Sequence, residues 1–230
     1  MAKDRVEAVE RALAVLNAFS DEQNVLTLKE ISDSTGLYKS TILRLIGSLE
    51  LFGFVSKQQD GRYRLGPSLW RLGSIYQKSF DSEKVIRPML ERMRDTVNES
   101  AAFYIKSGES RICLYRENAK REVCHNINEG SEIPIKRGAA GRVLLAYTGT
   151  EGQPFETIRS QGWYMSKGER NPDLAAISVP VLTPNGDLKG ALSISGLIFR
   201  FNGPLVDECL ELLKQAADDM GKQLIDSPLM

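Results

Sequence analysis

Between residues 27 and 66 the chain is interrupted three times at short spacing, by Gly36, Gly53 and the pair Asp60-Gly61. Only short elements fit between these breaks, and the residues inside each piece specify which. Thr27 precedes Leu28 and Ile31, with Glu30 placed to complete a capping box, so a short helix starts there. Leu37-Tyr38-Lys39-Ser40 opens a second helix, whose Ile42, Leu45, Ile46 and Leu49 recur on one face. Phe54-Val55-Ser56-Lys57 and Arg62-Tyr63-Arg64-Leu65 flank Gln59-Asp60-Gly61, and Asp-Gly between short β-prone runs predicts a hairpin. Upstream, Val6, Val9, Leu13 and Leu16 recur at three and four residues and mark an amphipathic helix. Helix, helix–glycine–helix, hairpin is the order of a winged helix-turn-helix.

Charge sharpens this reading. The chain has 30 basic and 30 acidic residues and a net charge of zero. Residues 1–80 carry a net +2, and the remainder −2. Within residues 37–71 the excess is +4: Lys39, Arg44, Lys57, Arg62, Arg64 and Arg71 stand against Glu50 and Asp60. A local excess of this kind can neutralise phosphates. The first turns of the second helix would enter a major groove. Its exposed positions are Lys39, Ser40, Thr41, Arg44 and Ser48, and Arg44 can make a bidentate contact to guanine. Lys57, Arg62 and Arg64 on the hairpin suit backbone or minor-groove contact. The alternative is a winged-helix module used for protein contact and fused to a small-molecule sensor.

Gly66-Pro67 starts a connecting helix with Leu69, Leu72, Ile75 or Tyr76, and Phe80 on its stripe. A further helix over residues 85–98 starts near Pro88 and buries Met89, Leu90, Met93 and Val97. Strands then dominate: Ala101–Lys106 and Ser110–Arg116 around Ser107-Gly108-Glu109, then Glu122–Ile127, then Ile177–Thr183 and Leu188–Ile194 around Pro184-Asn185-Gly186-Asp187. A closing helix after Gly203-Pro204 buries Val206, Leu210, Leu213, Ala217 and Met220. The expected architecture is α+β, with boundaries at 1–66 (winged helix-turn-helix), 67–82 (linker helix) and 83–230 (an α/β domain with an antiparallel sheet).

Two features of this second domain suggest a ligand site. Gly138-Ala139-Ala140-Gly141 precedes a helix over Arg142–Tyr147, and open N–H groups at a helix start attract anions. Tight packing of that helix on a sheet explains the same residues. Ser193 and Ser195 share one strand face, which either meets a polar ligand or faces solvent. Glu169 precedes a strand and can pair with Arg170. Lys136 and Arg137 add positive charge beside the Gly-Ala loop and favour an anionic ligand. Phe103, Ile112 and Ile127 serve as core or as cavity walls.

Val9-Glu10-Arg11-Ala12-Leu13, Leu28-Lys29-Glu30-Ile31-Ser32, Tyr63-Arg64-Leu65-Gly66, Gly138-Ala139-Ala140-Gly141-Arg142, Gly168-Glu169-Arg170-Asn171-Pro172-Asp173 and Ala191-Leu192-Ser193-Ile194-Ser195-Gly196 occur in order along the chain. Together they resemble the isocitrate-lyase-regulator (IclR) family of bacterial transcription factors. The resemblance implies a sequence-specific regulator binding double-stranded operator DNA as a homodimer or homotetramer. It implies a C-terminal domain related to GAF and PAS folds, controlled by a small organic or aromatic acid. Carried over residue by residue, it assigns the effector cup to Gly138, Ala139, Ser193, Ser195 and Glu169, with Ser178 in the adjoining strand. The segment Thr148–Thr157 is shorter than in most relatives, and Lys136 stands where the family usually has histidine.

Enzyme chemistry is not expected. There is no P-loop, no G-x-S-x-G elbow and no dinucleotide fingerprint. The single His125 follows Cys124 directly, and neighbours on a strand face apart, so they form no dyad. Cys113, Cys124 and Cys209 lack zinc-ligand spacing, so no metal or cofactor is expected. Widely spaced, odd-numbered cysteines, no run of 18 apolar residues and no secretory signal lead to the expectation of a cytoplasmic location without membrane contact.

Overall fold

A computed structural model describes residues 5–20, 23–78, 82–225, 227 and 229. The chain divides into two units, residues 1–79 and 80–230, each with its own apolar core. In the first unit α1 (Glu7–Leu16) is followed by β1 (Val25–Leu26), α2 (Leu28–Thr35) and α3 (Lys39–Leu51). The capping box forms: Glu30 N–H donates to Thr27 Oγ1 at 3.2 Å, and Thr27 N–H donates to Glu30 Oε2 at 2.7 Å. These bonds satisfy donors that a helix start otherwise leaves open. Gly36 ends α2 in the left-handed region, at φ 69°. Ser32 Oγ donates to Leu37 O at 2.7 Å and fixes the turn into α3.

The hairpin of β2 (Val55–Lys57) and β3 (Tyr63–Leu65) forms as expected, with Ser56 opposite Arg64. β1 pairs with β3 on the other side, giving the order β1-β3-β2. Two residues are too few to show a period, so β1 left no signal in the sequence. Gly66 lies where an added Cβ would sit 2.2 Å from Gly53 O, so the chain leaving the hairpin can press against the end of α3 only with glycine there. α4 (Pro67–Lys78) follows, with proline at its first position. Phe80 of the expected stripe lies outside the described residues.

The α1 stripe behaves differently from a simple core face. Val15 is the buried residue, packed with Ala12 and Leu16, whereas Val6, Val9 and Leu13 are each more than half exposed. Trp70, Leu72, Ile75 and Tyr76 of α4 are also exposed.

The second unit is built on one antiparallel sheet of order β6-β5-β4-β9-β8-β7. The strands are β4 (Ser100–Ser107), β5 (Ser110–Glu117), β6 (Glu132–Pro134), β7 (Tyr164–Lys167), β8 (Leu174–Leu182) and β9 (Leu188–Leu197). Alternation separates its two faces. Phe103, Ile177, Leu192 and Ile194 form one core with Ile86, Leu90 and Met93 of α5 (Ser82–Val97) and Cys209, Leu213 and Met220 of α8 (Gly203–Gln223). Ala102, Tyr104, Cys113 and Ala191 face the other way. They pack with Val143, Leu144 and Ala146 of α6 (Ala139–Tyr147) and Ile158 of α7 (Phe155–Gln161).

Several expectations need correction here. α5 starts at Ser82, and Pro88 lies inside it. The buried Ile86–Leu90–Met93–Val97 row carries the helix past a proline that would otherwise end it. Met89 is only partly buried. Residues 122–127 form no strand; the third pairing strand is β6, so Cys124 and His125 are not neighbours on a strand. α6 begins at Ala139, so the Gly-Ala loop is its first turn. Val206 and Leu210 of α8 are half-buried, while Cys209 takes the central position. β7 was not anticipated. α7 occupies the end of the short segment after Tyr147.

Candidate functional site

α3 buries Ile42, Ile46 and Leu49 and turns Lys39, Ser40, Arg44 and Ser48 outward, with Thr41 half-buried. Lys57, Arg62 and Arg64 are exposed on the hairpin. Both acids of this region serve the hairpin. Glu50 Oε1 accepts from Lys57 N–H at 2.9 Å, and Asp60 accepts from Arg62 N–H at 3.0 Å and from the Arg62 guanidinium at 2.7 Å. The Arg62 backbone N–H and guanidinium hold the Asp60 carboxyl below its usual range. Arg62 is thus partly neutralised, whereas Arg64 Nε, among the described residues, donates only to Ser56 Oγ, at 3.2 Å. Two residues of this surface went unremarked in the sequence. Tyr38, at the start of α3, is 85% exposed. Gly47 presents bare backbone, with nothing within 4 Å of the position a Cβ would take.

In the second unit a small cleft of about 40 Å³, open to solvent, lies between the sheet, the first turn of α6 and residues 166–171. Gly138, Ala139, Glu169, Ser193 and Ser195 line it. Ser178 does not. It is fully buried and its hydroxyl donates to Leu192 O at 2.7 Å, while Ser193, opposite it, donates to Ile177 O at 3.0 Å. The two hydroxyls thus bond across the β8–β9 pair. Ile127 is a wall of the cavity, but Phe103 and Ile112 belong to the core on the far side of the sheet.

The start of α6 is already occupied. Gly138 N–H donates to Glu169 Oε2 at 3.1 Å, and Ala139 N–H donates to Ser166 Oγ at 3.1 Å. Glu169 is a built-in anion at a helix N-terminus, where partial positive charge favours it. Tyr164 Oη donates to Glu169 Oε1 at 2.7 Å, and Arg142 Nε stands 3.5 Å from Oε2. Burial opposes the charge, but Tyr164, the Gly138 N–H and Arg142 outweigh it and hold the carboxyl below its usual range.

The positive charge of the cavity comes from Arg111 and Arg170, not from Lys136 and Arg137. Lys136 is largely exposed and stands 3.6 Å from Glu109. Arg137 is exposed and offers its carbonyl to Arg111 Nη1 at 2.8 Å. Arg111, on β5, is only 4% exposed. Its Nη1 also donates to Pro134 O at 2.9 Å, and its Nε has no partner among the described residues. A Cβ on Gly141 would sit 2.0 Å from Ile135 O and 2.6 Å from Arg111 Nη1, so glycine there makes room for both. Burial lowers the pKa of the guanidinium. An arginine alternating with Cys113 on an inward strand face was the signal available in the sequence.

His125 reaches the cavity from the irregular segment after β5. Its Nε2 accepts from Arg170, and its Nδ1 lies 3.4 Å from Ser195 Oγ. Since an arginine can only donate, the proton of the neutral ring sits on Nδ1 and points to Ser195. Burial, then Arg116, Arg170 and Arg111, push the imidazole pKa down to about 3. Arg116 bonds the His125 carbonyl and so helps fix the segment. Among the described residues no group of three or more His, Cys, Asp or Glu side chains is placed to hold a metal, and no helix is long and apolar enough to cross a membrane.

Comparison with known proteins matches both units. The model of the IclR helix-turn-helix domain matches residues 8–59, and that of the bacterial transcriptional regulator IclR C-terminal matches residues 152–222. The HTH-type transcriptional regulator XynR of Escherichia coli strain K12 is 25% identical, over 95% of this chain and 97% of its own. The crystal structure of an IclR transcriptional regulator from Alicyclobacillus acidocaldarius aligns with a TM-score of 0.81 at 24% identity, covering 94% of this chain and 98% of that one. An IclR homologue from Microbacterium hydrocarbonoxydans, complexed with 4-hydroxybenzoate, aligns with a TM-score of 0.78 at 22% identity, covering 96% of this chain and all of that one. At these identities the structural matches establish the fold.

Proposed function

The chain belongs to the IclR family of transcriptional regulators, and from that premise we propose that it binds operator DNA sequence-specifically as a homodimer or homotetramer, under control of a small anionic effector. Residues 1–66 read DNA, 67–82 link, and 83–230 hold the effector. The observation that carries this reading is the outward face of α3 with its hairpin, where Lys39, Arg44, Lys57 and Arg64 stand exposed and without a carboxylate partner among the described residues. Arg44 and Ser40 read base edges, and Lys57 and Arg64 hold phosphates. The apolar side chains exposed on α1 and α4 suit burial against a second copy. A homodimer would present two α3 helices to half-sites about one DNA turn apart, roughly 34 Å.

In the second unit, Gly138, Ala139, Glu169, Ser193 and Ser195 line the effector cavity, joined by Arg111, His125 and Arg170. The 4-hydroxybenzoate complex of the Microbacterium homologue supports an organic acid as the ligand class. A salt-titrated gel shift on the DNA upstream of the gene and its neighbours tests the DNA reading. Specific retardation that weakens with salt is expected, because released counterions drive such binding. Arg44→Ala should lose about 1–3 kcal/mol of specific binding. No retardation at low salt would leave a winged helix used for protein contact.

A further inference from the structure

The cavity in the second unit holds two guanidinium groups, and no carboxylate among the described residues is free to meet them. Arg111 is almost wholly buried and, among the described residues, hydrogen-bonded only to the carbonyls of Pro134 and Arg137, with Nε unpartnered. Arg170 stands exposed at the rim, and its one partner among the described residues is the neutral ring of His125. Glu169, the acid that lines the cavity, is engaged by Arg142, Tyr164 and the Gly138 N–H. Arg142 balances its charge. Two positive charges remain, one deep and one at the mouth. Glu169 acts on Arg111 only through space, with no hydrogen bond between them among the described residues, and a buried charge without a bonded counter-charge is costly, so the deep guanidinium favours an anion.

The walls between these groups decide the shape of the anion. Ile127, Leu174 and alanines 139, 140, 175 and 176 form the apolar lining, and Ser195 with His125 supplies part of the polar side. Tyr104 is the one aromatic side chain lining the cavity apart from the His125 ring, and the Arg111 guanidinium lies over its ring, 5.5 Å from the centroid. That ring face is taken, which leaves an aromatic ligand little to stack on.

We infer that the cavity selects a short aliphatic dicarboxylate, one carboxylate on Arg111 and the other on Arg170, in preference to an aromatic monocarboxylate. This rests on the reading of the cavity as an effector site and names its ligand class. The outer carboxylate takes Arg170 from His125 Nε2, so the imidazole environment changes on binding. Charge-assisted hydrogen bonds to a guanidinium at each end supply the selectivity.

Titration calorimetry on the full chain with malonate, succinate, glutarate, butyrate and 4-hydroxybenzoate tests it. The best dicarboxylate should bind about tenfold or more tightly than butyrate and than 4-hydroxybenzoate. It should also shift the NMR signals of the single imidazole. Arg170→Gln, at an exposed position, should erase the difference in affinity between the dicarboxylate and butyrate. Equal affinity of the wild type for dicarboxylate and butyrate, tightest binding of 4-hydroxybenzoate, an unmoved imidazole, or a dicarboxylate preference that survives Arg170→Gln would each overturn the inference. If none of the five acids binds, the small-acid effector reading falls with it, while operator binding is decided separately by gel shift.

Discussion

His125 shows how strongly a single residue can be set by its surroundings. Its ring accepts from Arg170, faces Ser195, and is held neutral by burial and three nearby guanidinium groups, with a pKa of about 3 against 6.5 for a free imidazole. The folded chain therefore binds fewer protons than the unfolded chain between these two values, and stability rises with pH across that window. On acidification from pH 7 to pH 5 the wild type should lose stability that His125→Gln does not, by up to about 1.4 kcal/mol per pH unit below 6.5. Urea denaturation of both proteins at the two pH values measures the difference. Parallel losses would show that His125 titrates freely in the folded state. None of this was legible in the sequence, where His125 drew notice only as a poor partner for Cys124. Arg111 escaped notice for a related reason: a charged residue in a strand reads as outward-facing until the glycines that admit it, Gly138 and Gly141, are seen beside it. Glu169 was legible as an acid in the right loop, but not as the group that closes the start of α6.

Among the elements, α3 was the most legible, because Gly36 before it, its apolar row and Gly53 after it all carry local signals. The same holds for α2 and for the β2–β3 hairpin. β1, β6 and β7 were missed because two to four residues carry no readable period, and pairing with a neighbour across the sheet is what makes them strands. Pro88 misled because its cost is local while the packing that offsets it is tertiary. Gly47 is the one feature of α3 that folding does not explain. It lies within the helix, one turn beyond Arg44, where a Cβ would touch nothing. A glycine inside a helix costs about 0.5–1 kcal/mol relative to alanine. Gly47→Ala should therefore stabilise the protein by that amount in thermal or urea melts. If α3 lies in a groove, the added methyl should weaken operator binding in the same variant. Opposite signs in the two measurements assign the glycine to close approach by DNA; a stabilised protein with unchanged operator affinity would place Gly47 outside the interface.

At the scale of the whole molecule, the zero net charge is a sum over unlike parts, with the positive excess gathered between residues 37 and 71. The outline of an α+β chain with a winged-helix unit ahead of a sheet unit was legible from that distribution, from the turn signals and from the order of motifs. What was not legible is which charges face inward, since Arg111 and Arg170 contribute to the chain's sum as any surface arginine would. The division of labour has a thermodynamic consequence. In the proposed reading DNA contacts belong to one unit and the effector cavity to the other, so the two ligands would affect each other only through states of the whole chain that each prefers. If an effector changes operator affinity by some factor, operator DNA must change effector affinity by the same factor, and couplings of this kind typically run from about 5- to 150-fold. Fluorescence anisotropy of labelled operator DNA, with and without the tightest-binding acid at saturation, gives one factor. Calorimetric titration of that acid into protein with and without saturating operator gives the other. The expected outcome is two equal factors well away from one, in either direction, since repression and activation differ only in sign. A factor of one in both titrations would mean that the cavity binds its acid without reporting it to α3, and the chain would then be a DNA-binding protein with an independent ligand site.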